Sequence, residues 1–157
     1  MDGIWVAPDV IDKAMIVVVH EARCALAVWK GRSRIDVYDL AGAWHRIAQP
    51  YAPDEEGMWT RADLLAAARA TIDSSGAPTR PGDRPETALY VEVAMLEAAQ
   101  LIRADASGYA LWTADESVDV YGADGAHLCW ARIGALDVPT TSQLMVELLS
   151  FTARIAA

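Results

Sequence analysis

The chain has 157 residues and a mass of 17.0 kDa, room for one ordinary domain or two small lobes sharing a core and too little for two large independent domains. Apolar residues make up 54% and charged residues 22%, which excludes a disordered chain. A formal net charge of -9 and a pI near 4.6 exclude nucleic-acid phosphates and anionic membrane surfaces as natural partners, since both are recognised by clustered Lys and Arg, and favour a basic protein partner.

The opening Met1 to Pro8 lacks the basic stretch and apolar run of a signal peptide, and apolar runs such as Ala14 to Val19 are far too short to span a bilayer. From Pro8-Asp9 onward, polar residues at Asp9, Lys13, His20 and Arg23 fall at helical spacing, although the β-branched run Ile16 to Val19 within it suits a strand equally. Three β-prone segments follow, Cys24 to Trp29, Arg34 to Asp39 and Trp44 to Ala48, separated by turn chemistry at Lys30 to Ser33 and at Gly42. Thr60 to Ile72 predicts a helix, with Thr60 as N-cap and Asp63 in its first turn. Residues 74–85, dense in Pro and Gly, read as a linker. Pro85 to Arg103, with apolar positions at Val91, Met95, Ala98 and Ile102, predicts a further helix. Tyr109 to Thr113, Ser117 to Gly122 and His127 to Ile133 predict a second set of strands, and Pro139 to Arg154 a last helix.

The two sets of strands resemble each other. Val28-Trp29, Ile35-Asp36-Val37-Tyr38 and Gly42-Ala43 recur 83 residues later as Leu111-Trp112, Val118-Asp119-Val120-Tyr121 and Gly125-Ala126, with seven identities in twenty-one positions. Self-similarity at a fixed offset is a fold-level signal. The expectation is an α+β fold made as a pseudo-symmetric tandem repeat of an α-β-β-β-α unit, with antiparallel meanders and helices packed on one face. The first repeat is residues 1–73 and the second 86–157, the two halves forming one compact domain.

In this reading the two-residue period of a strand puts Trp29, Ile35, Ala27 and Val37 on the core side, as it does Trp112, Val118 and Val120. Asp36, Tyr38, Asp119 and Tyr121 then face water and form an acidic, aromatic docking surface. The run Asp54, Glu55 and Glu56 beside Trp59 is expected to add to it.

No chemistry-bearing motif stands out. Phosphate-binding glycine loops, nucleophile elbows and H-E-x-x-H are absent. His20 with Cys24 and His127 with Cys129 form a ligand set zinc accepts, but their spacing matches no finger or ribbon. No metal or cofactor is expected. Two cysteines give no disulfide framework, so a reducing cytoplasm is the natural setting, and the Arg-rich, Ala-rich composition hints at a bacterial source.

These observations favour a small acidic cytosolic bacterial protein that binds and neutralises a basic protein partner, a toxin, in the manner of an immunity protein or antitoxin. The order of helices around three-stranded meanders also resembles the type III secretion chaperone class, which would imply an effector as partner. That resemblance is one of element order, and the tandem repeat departs from it. An enzyme or ligand-binding domain of unrecognised family, with a pocket between the repeats, is the remaining alternative.

Overall fold

The computed structural model describes residues 3–21, 24–31, 35–39, 44–48, 61–74, 85–134 and 137–156. Strand β1 (Gly3–Val6) leads into a single helical turn, α1 (Pro8–Ile11), whose first position is the proline that suits it. A meander follows: β2 (Ile16–His20), β3 (Ala25–Trp29), β4 (Ile35–Asp39) and β5 (Trp44–Ala48), then helix α2 (Arg61–Ser74). The second half begins with β6 (Leu89–Glu92) and the short helix α3 (Val93–Ala98). It continues through β7 (Leu101–Asp105), β8 (Gly108–Trp112), β9 (Ser117–Gly122) and β10 (His127–Arg132) to α4 (Val138–Ala156).

The strands form a four-stranded sheet β2-β3-β4-β5, a second β10-β9-β8-β7, and a two-stranded ribbon in which β1 pairs with β6. Every pair is antiparallel, so the fold is α+β. The expected registers are present: Trp29 lies opposite Ile35 and Ala27 opposite Val37, while Trp112 lies opposite Val118.

Two expected helices are corrected. The segment after Pro8 is helical only to Ile11, and the β-branched run Ile16 to Val19 becomes β2, the outcome its stiff side chains favour. The expected helix over Pro85 to Arg103 is divided into β6, α3 and β7. Its apolar residues serve different layers: Leu89 and Val91 enter through the β1 ribbon, and the chain bends at Gln100, whose N–H bonds to Trp112 O. Tertiary pairing overrides the helical spacing. Among the described residues each half therefore runs β-α-β-β-β-β-α in place of the expected α-β-β-β-α unit.

Burial explains the layering. Ile16, Val18, Ala25, Ala27, Ile35 and Val37 pack beneath Ala68 and Ile72 of α2. Leu101, Ala110, Val118 and Val120 pack beneath Met145 and Leu149 of α4. The alternate residues Val17, Val19, Leu26 and Val28 of one sheet, and Ile102, Tyr109 and Leu111 of the other, share a third cluster with β1, β6, α1 and α3. Strands β2 to β4 and β7 to β9 thus lie between a helix on one face and the common apolar layer on the other.

The halves also close each other's inner sheet edges. Asp12, at the end of α1, reaches β7, where Oδ1 accepts from Ala104 N and from Arg103 Nε, both at 2.9 Å. Lys13 N donates to Ile102 O, and Ile102 N to Ala14 O. In the reverse direction Glu97 of α3 accepts from Val19 N of β2 at 3.2 Å. A carboxylate from the opposite half thus occupies a donor on each inner edge strand, a position otherwise open to unwanted pairing.

Candidate functional site

In β9, Val118 and Val120 point toward α4, so Asp119 and Tyr121 share the other face. The first of these faces ends in the core. The second begins there and runs outward: Tyr109 is buried, its hydroxyl donates to Tyr90 O at 2.9 Å, and Tyr121 stacks on its ring at 5.0 Å. Burial is the main cause that pushes both phenols above their ordinary pKa; the Asp119 and Glu92 charges add to the rise at Tyr121.

Across from Tyr121, β10 adds no residue to the common apolar layer. His127, opposite Tyr121, sits against its ring at 5.1 Å and makes a 3.0 Å contact from Nε2 to Asp119 Oδ1. Trp130 lies opposite Asp119 and Arg132 opposite Ser117, and cross-strand partners share a face. Trp130 is 64% exposed and Leu128 45%, although each could bury far more in an interior. Trp130 and Arg132 line a wide-mouthed pocket of about 520 Å³ with the β8–β9 turn, Ala114 to Ser117. Asp115 and Glu116 are exposed on that turn.

Among the described residues β10 is a sheet edge. A bulge between His127 and Cys129 leaves Leu128 as the extra residue, so regular pairing with β9 runs over Cys129 to Arg132.

The other expected site residues fall elsewhere. Asp36 is 8% exposed, and Tyr38 is half-buried against the common layer, which corrects the expectation that they face water. Asp36 lies within electrostatic reach of Lys30, whose ammonium donates to Asp9 O at 3.0 Å. Burial lowers the Lys30 pKa, against the opposing charges of Asp12, Asp36 and Asp9. Asp54, Glu55, Glu56 and Trp59 lie outside the described residues. Of the expected surface, Asp119 and Tyr121 are brought together with new neighbours in His127 and Trp130.

The potential zinc ligands do not converge. Cys24 Sγ contacts Glu21 O, Cys129 Sγ contacts Thr152 Oγ1, and among the described residues no three His, Cys, Asp or Glu side chains come together as a metal-binding group. Nor is any described helix long and apolar enough to cross a membrane. Sequence reasoning missed Trp130, although the last strand of a meander is by topology an edge candidate and this one carries its indole opposite the repeated Asp.

Comparison with protein-family models, with curated proteins and with solved structures gives no match.

Proposed function

We propose that this chain is a cytoplasmic protein that binds and neutralises a basic protein partner, in the manner of an immunity protein or antitoxin, through the outer face of β9 and β10. The observation that carries the reading is Trp130, 64% exposed on an edge strand, opposite Asp119 and beside the turn bearing Asp115 and Glu116. An indole offers a large, rigid contact area at low entropic cost, and withdrawing the exposed part of Trp130 from water would contribute about 3 kcal/mol. The carboxylates, within a chain of net charge -9, supply long-range steering toward a cationic partner. Asp119 and Tyr121 take part directly in this reading, while Tyr38 packs against the apolar layer behind them.

The test is inhibition. A basic protein that copurifies with the wild type is assayed for its own activity with wild type and with the double variant Asp119→Lys, Trp130→Ala. Loss of inhibition by a variant that still folds supports the reading; undiminished inhibition overturns it. The open β10 edge also suits a secretion chaperone, and that reading gains if the bound partner is held unfolded and secretion-competent instead of folded and inactive.

A further inference from the structure

We propose that the partner docks by strand addition: an extended segment carrying Lys or Arg pairs with the outer edge of β10 over Cys129 to Arg132, with a basic side chain over Trp130. This deepens the proposed function and rests on it.

The backbone sets which groups are available. Ile133 N donates to Glu116 O across the β9–β10 ladder. In an antiparallel pair inward and outward hydrogen-bonding residues alternate, so Ala131 and Cys129 also turn their peptide groups to β9, and Trp130 and Arg132 turn theirs away from it. The edge therefore offers two N–H and two C=O groups to an added strand. The contrast with the inner edges is direct, because Asp12 and Glu97 occupy donors on β7 and β2, whereas no hydrogen bond from another described residue reaches the outer side of β10.

The side chains specify the occupant. An added strand would lay alternate side chains on the face that holds Trp130, Asp119 and the Ala114 to Ser117 turn. Asp115 and Glu116 form no side-chain hydrogen bond or ion pair with any described residue, and they stand around the same pocket as the indole. A cation over an aromatic face with carboxylates at its rim is favourable twice over. Among the described residues Arg132 is the one basic side chain lining the pocket, and it sits at the end of the regular ladder, the next position after Trp130 on the same face. A second copy of this chain is a poor occupant, because it would bring another -9 charge and a like-charged rim against this one.

Fluorescein-labelled eight-residue peptides alternating valine with lysine, or valine with glutamate, would be titrated against the full chain and followed by anisotropy. The lysine peptide is expected to bind at least about tenfold more tightly than the glutamate peptide, and Trp130→Ala to weaken it by a similar factor. N-methylation of the amides along one edge of the lysine peptide should abolish binding, and methylation along the opposite edge should leave it intact. Equal tolerance of both methylated forms, equal binding of the glutamate peptide, or no binding up to about 1 mM overturns strand addition. So does sedimentation showing that the wild type, unlike Trp130→Ala, pairs with itself through this edge. A partner that is inhibited while the methylation contrast is absent would leave the neutralising role standing and remove only the strand; a contrast without any inhibited partner would do the reverse.

Discussion

Replacing Asp12 with alanine tests the way the halves are joined. Its Oδ1 accepts two hydrogen bonds on β7, from the Arg103 guanidinium and from Ala104 N. The carboxylate is 27% exposed and the Arg103 side chain 18%, so the pair is screened less than a surface ion pair without being fully sealed. A charged hydrogen bond contributes about 1.5–3 kcal/mol and a neutral one about 1 kcal/mol; with partial exposure discounted, the truncation should cost about 2–3 kcal/mol. For a chain of 157 residues each kcal/mol lowers the melting midpoint by about 2–4 °C, giving a fall of about 5–10 °C. Urea unfolding of Asp12→Ala, Arg103→Met and the double variant would show the coupling. Arg103 also donates from Nη1 to Ser142 Oγ, so the guanidinium stays anchored to α4 when Asp12 is removed. A coupling of about 1 kcal/mol or more is expected. A loss below about 0.5 kcal/mol for Asp12→Ala, or strict additivity, would refute the idea that this carboxylate secures the junction.

Other expectations are simpler. Trp29→Ala and Trp112→Ala remove half-buried indoles from the layers beneath α2 and α4, and each should cost about 2–4 kcal/mol by chemical denaturation. Tyr109→Phe deletes the hydrogen bond to Tyr90 O and should cost about 1 kcal/mol at neutral pH. Because burial raises the Tyr109 and Tyr121 pKa values in the folded state, the stability linked to their neutral forms is complete below pH about 10 and is lost as pH rises beyond it. Alkaline unfolding followed by tyrosinate absorbance should accordingly be less steep in Tyr109→Phe. Asp137 caps α4 by accepting from Thr140 N at 2.7 Å, and the Thr140 hydrogen bonds lower its pKa below 3.8. Asp137→Ala should melt below wild type at neutral pH, and the gap should close as acidification carries the wild-type carboxyl through its lowered pKa.

The strand registers could be read from residue order because a period of two and two short turns leave few alternatives. The faces could be assigned for the same reason, and the indoles do pack toward the helices. What lay behind the opposite face was misjudged. Ile16 to Val19 and Ala25 to Val28 are continuous apolar runs, the mark of strands covered on both sides, whereas β9 alternates. β4 alternates as β9 does and lies beside an equally apolar strand, so nothing in residue order separated Asp36, which enters an interior, from its counterpart Asp119, which reaches a margin. The split of residues 85–103 was not legible, because the i, i+4 spacing of Val91 and Met95 fits a helix equally and only the β1 partner, some 86 residues earlier, decides between them. Asp12, Glu97 and Arg103 could not be singled out at all, since their roles depend on which half they touch.

The reciprocal placement of α1 against β7 and α3 against β2 makes the two halves mutual guests. Severing the chain between them would uncover a flank on each fragment at once, and the best available cover for either is the matching fragment of another molecule. Heating should therefore dissolve both together in one transition.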